Sequence, residues 1–323
     1  MSEIITGGIG RGDADGAAPL VVRFDGVRYR YGTHVALNGL DLRVARGETV
    51  ALLGPNGAGK STTLSLLLGL LRPQSGIVEV LGATPRVAVT EGRVGAMLQT
   101  GSGAGLPPGV GVGDALRLVR SLYPRPAPFD LIVERAGIAG LLDRQASRLS
   151  GGQAQSVRFA IAIAGDPDLV FLDEPTAAMD LAGQRAFWQM IREFTREGRT
   201  TIFATHHLHE ADQVASRVVV VKGGRVVADG PGASLKAAVS ARRIRFTCDR
   251  PDPALLDRLD GVTEVDVHGT DVNIASLDAD STIRALVEHR VGFTNIEVRS
   301  AGLAEAFLAL TQATPSESEE GGR

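Results

Sequence analysis

ETVALLGPNGAGKST, residues 48–62, reads as a buried strand that runs into a glycine-rich turn and then a helix. Residues 48–53 are a compact apolar run bounded by turn residues, the pattern of a strand covered on both faces. The turn satisfies G-x-x-x-x-G-K-[ST] through Gly54, Gly59, Lys60 and Ser61. Glycines let successive backbone N–H groups converge on phosphate oxygens. Lys60 then reaches the β/γ-phosphates, the Ser61 hydroxyl is placed for Mg²⁺, and the positive end of the following helix faces the same anion. The motif follows a strand and opens a helix, which is the context it requires.

Working outward, LVFLDEP ends an apolar strand on Asp173, placed to hold magnesium directly or through water, with Glu174 beside it to polarise a water for attack on the γ-phosphate. TTIFAT is another buried strand, followed by His206, His207 and His209. Their spacing does not match H-E-x-x-H and no thiolate is near, so a structural metal is not expected there. His207 and His209 suit an exposed helix start. His206, first after the strand, can hydrogen-bond a γ-phosphate oxygen. Gln99 ends the strand RVGAML, where a neutral amide could touch Mg²⁺ or the attacking water.

A second glycine loop, LSGGQ at residues 149–153, heads the apolar helix segment VRFAIAIA but has no lysine of its own. Ser150, Gly151 and Gly152 offer a hydroxyl and backbone N–H groups, and the helix from Gln153 onward presents its positive end.

These motifs in this order resemble the nucleotide-binding subunit of an ATP-binding cassette (ABC) transporter, over about residues 21–236. They run Tyr31-Gly32, GPNGAGKST, Gln99, LSGGQ, LVFLDEP, AAMD and the histidine after TTIFAT. LSGGQ just upstream of LVFLDEP is the most specific of them. The resemblance implies ATP held by Tyr31, stacked on adenine (Tyr29 is the rival residue), and by Gly54, Pro55, Asn56, Gly57, Ala58, Gly59, Lys60, Ser61 and Thr62. It implies Mg²⁺ at Ser61, Gln99 and Asp173, and catalysis by Glu174, His206 and Lys60. It also implies that Ser150, Gly151, Gly152 and Gln153 cap ATP bound to a facing second copy, with Asp180 linking the two sites. Leu181 departs from the family in replacing the usual proline, and AQSVRFA in replacing a basic stretch. Neither removes a catalytic group.

The expected fold is an α/β P-loop cassette: a mixed sheet, an antiparallel β subdomain and a helical subdomain at about residues 105–165. It spans residues 20–238, between a disordered tail (1–19) and a small α+β unit (239–312), with a second tail at 313–323. IRFTC, PALLDRLD, TEVDVHGTDVNIASL, STIRALVEHR and FTNIEVRS read β-α-β-β-α-β, which suggests a ferredoxin-like domain, with LAEAFLALT as a last helix.

The bulk numbers agree. The length of 323 residues suits two domains, and mean hydropathy is +0.08 with no apolar run near the ~18–20 residues needed to span a bilayer. The single cysteine, Cys248, excludes an internal disulfide. A net charge of −3 gives no reason to expect nucleic acid as partner. The resemblance therefore implies two copies of the chain under two separate transmembrane permease subunits, peripheral at the cytoplasmic face of the membrane. The C-terminal unit resembles that of drug, antibiotic and polysaccharide exporters. The rival expectations are a soluble ABC ATPase acting on ribosomes or DNA, and a non-hydrolysing regulator.

Overall fold

Runs of apolar residues between glycine and proline turns become the strands of three sheets in the computed structural model, which describes residues 18–98, 105–107, 109–177, 179–238, 242–299 and 307. Contacts divide the chain into two units, Met1–Gly230 and Pro231–Arg323, where the sequence reading put the boundary after residue 238.

The first unit contains, in chain order, β1 (Leu20–Tyr31), β2 (His34–Ala45), β3 (Thr49–Leu53), α1 (Lys60–Leu67), β4 (Ser75–Val80), α2 (Pro85–Thr90), β5 (Val94–Met97), α3 (Val112–Ser121), α4 (Phe129–Arg135), α5 (Gly151–Ala162), β6 (Leu169–Asp173), α6 (Leu181–Arg196), β7 (Thr200–Ala204), α7 (Leu208–Val214), β8 (Arg217–Lys222) and β9 (Arg225–Gly230). Six strands form one sheet in the order β5-β6-β7-β3-β8-β9. Its first five strands are parallel and β9 closes the edge antiparallel. All of β3 and β7 is buried, which explains their uninterrupted apolar character. β1, β2 and β4 form a separate antiparallel sheet in the order β2-β1-β4. One apolar core spans the two sheets, with Phe24, Leu37, Leu52, Leu64, Phe171 and Ile202 among its members.

The parallel sheet orders the functional segments. In such sheets ligands bind beyond the carboxyl ends of the strands. The phosphate loop leaves β3, Asp173 ends β6, and Thr205-His206 follow β7. Since β7 lies between β6 and β3, these three ends are neighbours.

α3, α4 and α5 form the helical part, with two 3₁₀ turns at Ala139–Leu141 and Ala146–Arg148. Phe159 anchors α5: it is buried and meets Phe187 and Phe194 of α6 edge-on, at ring separations of 5.7 and 6.1 Å. Phe159→Ala is expected to cost about 3–5 kcal/mol of stability. Urea unfolding followed by the fluorescence of Trp188, the single tryptophan, buried against Phe203, measures it.

The second unit holds α8 (Gly232–Ala238), β10 (Arg242–Thr247), α9 (Pro253–Leu256), β11 (Val262–His268), β12 (Asp271–Ser276), α10 (Ala279–Glu288) and β13 (Thr294–Arg299). Its antiparallel sheet has the order β11-β12-β10-β13, the split β-α-β arrangement of ferredoxin-like domains. Ile244, Phe246, Val272, Ile274 and Leu286 centre its own small core. PALLDRLD gives only the single turn α9, after which the backbone bonds tighten to i→i−3 at Arg258 and Leu259. The expected helix LAEAFLALT lies outside the described residues except for Phe307. Residues 1–17 and 313–323, expected as tails, also lie outside them.

Candidate active site

A cavity of about 200 Å³ opens at the carboxyl end of β3, lined by Tyr31, His34, residues 56–62, Asp173 and Glu174. The phosphate loop is locked in shape by its neighbours. Gly59 has φ +107°, and a Cβ there would lie 2.6 Å from the Ala36 carbonyl oxygen and 2.7 Å from a Leu37 methyl. Gly224, in the β8–β9 turn, donates its N–H to the Ala58 carbonyl at 3.1 Å, and its own carbonyl accepts from Asn38 N–H at 2.9 Å. The hairpin glycine thus clamps the loop against β2, a role beyond the tight turn its sequence suggests.

Lys60 is half-buried, and its ammonium donates to the carbonyls of Gly54 (2.5 Å) and Pro55 (3.1 Å). Burial lowers its pKa from the usual lysine value, while the charges of Glu174 and Asp173 act the other way. Ser61 lies on the first turn of α1, and Thr62 is buried behind it. The β1–β2 hairpin ends in the pair Tyr31–His34, which delivers both side chains to the cavity rim. Tyr31 is half exposed there. Tyr29 packs on the core instead and meets the Tyr31 ring edge-on, so the rivalry between them is resolved in favour of Tyr31 as the rim residue. His34 carried no signal in the sequence except its place opposite Tyr31.

Glu174 has φ +46°, a conformation costly for a side chain with a Cβ. Its backbone N–H donates to the Ala204 carbonyl at 2.9 Å, so the end of β7 holds the strained turn in place. Its carboxylate is largely buried and accepts from the backbone N–H of His206 (3.0 Å). The Nδ1 of His206 lies 2.7 Å from the same oxygen, and Thr205 Oγ1 lies 3.3 Å from the other. Glu174, His206 and His207 also bring possible ligand atoms within 4.8 Å of one another, a convergence that the histidine spacing did not suggest. His206 and His207 are both exposed, and His206 spends its inner nitrogen on Glu174.

Ser150 caps α5. Its Oγ accepts from Gln153 N–H (3.3 Å), while Gln153 Oε1 accepts from Ser150 N–H (3.1 Å). This capping box fixes the start of the helix and leaves the Ser150 hydroxyl proton and the Gln153 amide N–H groups as outward donors. None of Ser150, Gly151, Gly152 and Gln153 lines the cavity that contains Lys60. Asp180 caps α6 by accepting from Gly183 N–H at 2.8 Å, and Leu181 takes the first helical position, where proline is otherwise favoured. Gln99 lies outside the described residues.

A family model described as ABC transporter matches residues 37–177. The daunorubicin resistance ATP-binding protein DrrA3 of Streptomyces coeruleorubidus is 34% identical over 310 residues, covering 91% of this chain and 96% of that protein. This chain belongs to the ABC transporter family. The Nod factor export ATP-binding protein I of Paraburkholderia xenovorans, 32% identical over 300 residues, covers 90% of this ABC protein and is itself covered to 96%. Among solved structures, cbiO1 of Clostridium perfringens, part of the ABC transporter complex cbiONQ, superposes with a TM-score of 0.60 at 28% identity. That match covers 68% of this chain and 91% of cbiO1. The ABC protein described here is thus an ATP-binding and ATP-hydrolysing cassette.

Proposed function

We propose that this chain is the ATP-hydrolysing subunit of an exporter, working as a pair of copies beneath two separate transmembrane permease subunits at the cytoplasmic face of the membrane. The observation that carries the paired site is the split of the machinery. Lys60, Asp173 and Glu174 line one cavity, while the LSGGQ residues lie outside it, and their capping box leaves over the Ser150 hydroxyl proton and the Gln153 side-chain N–H groups. The names of the drug-resistance and Nod-factor relatives, matched over nearly their full length, support export. No described helix is long and apolar enough to cross a membrane, and the proposal places the translocation path in partner chains.

Within one site, the loop amides and Lys60 hold the phosphates, and Tyr31 stacks on the base. Ser61 and Asp173 supply the hard oxygen ligands that suit Mg²⁺, with Gln99 as a third, and the ion would neutralise charge on the β/γ-phosphates. Glu174, fixed by His206 and Thr205, orients the attacking water and takes up its proton. His206, whose outer nitrogen points away from Glu174, donates to the γ-phosphate. Ser150, Gly151, Gly152 and Gln153 of the facing copy complete the site, and Asp180 at the start of α6 couples the two.

Gly151→Asp tests this. Asp is favourable at a helix N-terminus, so α5 itself should not suffer. The new charge would instead repel the triphosphate of the partner copy. Expected is loss of turnover with unchanged ATP affinity, measured by steady-state hydrolysis and nucleotide titration. Mixing Gly151→Asp with Lys60→Ala should restore activity, because each mixed pair holds one intact composite site. No recovery on mixing, or lost ATP binding in Gly151→Asp alone, would overturn the paired arrangement. Co-purification of two membrane-spanning chains from detergent extracts tests the partners, and recovery on ribosomes instead would sink the transport reading.

A further inference from the structure

Behind the site lies a buried polar chain that the motifs do not cover. Thr176, Thr205 and Glu210 are each less than a tenth exposed. Glu210, in the first turn of α7, accepts a short hydrogen bond from the Thr176 hydroxyl through Oε1. Its Oε2 lies 3.5 Å from Thr205 Oγ1. Thr205 Oγ1 also accepts from His207 N–H at 3.0 Å and lies 3.3 Å from Glu174 Oε2. A hydroxyl has one proton, so Thr205 donates to one of two carboxylates at a time. A carboxylate so buried is costly unless its oxygens find donors, and these two threonines supply them.

We infer that Thr205 and Glu210 are positioning residues for the hydrolytic carboxylate, an inference that rests on the role of Glu174 proposed above. Thr205 holds the free end of the Glu174 side chain from the β7 side. Glu210 holds Thr205 from behind and, through Thr176, ties it to the segment that leads from Glu174 toward Asp180. The chain thereby connects the loop after β6 to the loop after β7. Movement of either loop then reorients the carboxylate that addresses the water. Neither residue lines the nucleotide cavity, so their loss should act on the rate of hydrolysis and not on ATP binding.

The test uses the purified full-length chain, with kcat referred to nucleotide-binding sites titrated in the same sample, so that misfolded protein does not count. Thr205→Val removes the hydroxyl at constant shape. It is expected to lower kcat about tenfold, on the scale of one lost hydrogen bond, while KM for ATP stays put. Thr205→Ser should return the rate that valine loses. Glu210→Gln turns one oxygen into a donor, which must face either Thr205 or Thr176, so a fall in kcat at constant KM is expected here too. Glu174→Gln is run in parallel. If it turns over like the wild type, the underlying reading of Glu174 is wrong. If it is inactive while Thr205→Val and Glu210→Gln keep wild-type kcat, or change KM alone, the positioning role is overturned and the reading of Glu174 stands. A serine variant no better than valine also overturns it, since the hydroxyl would then not be what matters.

Discussion

Glu174→Gln should bind ATP and hardly hydrolyse it. The amide has the shape of the carboxylate, and its oxygen can still accept from His206 N–H, so the strained turn at φ +46° is retained. What disappears is the proton acceptor. Loss of a positioned base slows reactions by about 10²–10⁴-fold. In the proposed site nucleotide affinity comes from the glycine loop, whose residues and Lys60 are untouched, and removing a nearby negative charge should favour binding of the anionic triphosphate. The ATP-bound pair should therefore accumulate. Single-turnover hydrolysis measures the rate, and size-exclusion chromatography with saturating ATP reads the pair. A variant that stays monomeric under those conditions removes either the paired site or the role of Glu174.

The second large effect is expected at Gly59→Ala, where a single methyl group suffices. At φ +107° an alanine is strained by roughly 1–3 kcal/mol. Its Cβ would also stand 2.6 Å from the Ala36 carbonyl oxygen, which is backbone of β2 and cannot swing aside. The loop must shift instead, and overpacking of this kind costs about 1–3 kcal/mol more. Since the amides after Gly57 form the proposed phosphate cradle, the shift is expected to fall on ATP affinity. A loss of at least about tenfold, the equivalent of one misplaced charge-assisted hydrogen bond, is expected. Isothermal titration with ATP measures it, and thermal unfolding of the nucleotide-free chain reports the strain separately. Wild-type affinity in the alanine variant would mean that the loop tolerates movement and that its rigidity contributes nothing.

The two variants differ in what the sequence could say about them. Glu174 is legible because a carboxylate pair ending an apolar strand, with a lysine loop elsewhere, has few other uses. Gly59 is legible as part of a spacing, but the contact that forbids a Cβ comes from Ala36 and Leu37 in a different sheet. Gly224 shows the same division: its turn is written in the sequence, its clamp on Ala58 is not. His207 and His209 were expected at an exposed helix start, and both are exposed. Glu210 is buried all the same, because Thr176 from another loop packs over it, and nothing local signals that.

Sequence alone determined the strand, turn and helix around residues 48–62, the placing of Asp173, Glu174 and His206 at strand ends, and the presence of a second glycine turn at a helix start without a lysine. Each follows from short-range constraints: the apolar periodicity of a covered strand, the backbone freedom of glycine, and the exposed N–H groups at the head of a helix. Only the tertiary structure decided that β7 lies between β6 and β3, that Tyr31 and not Tyr29 reaches the cavity, and that Thr205 and Glu210 stand behind Glu174. Those facts depend on which segments, far apart along the chain, share a buried contact. That pairing is chosen by the packing of the whole unit and leaves no local mark in the residues that make it.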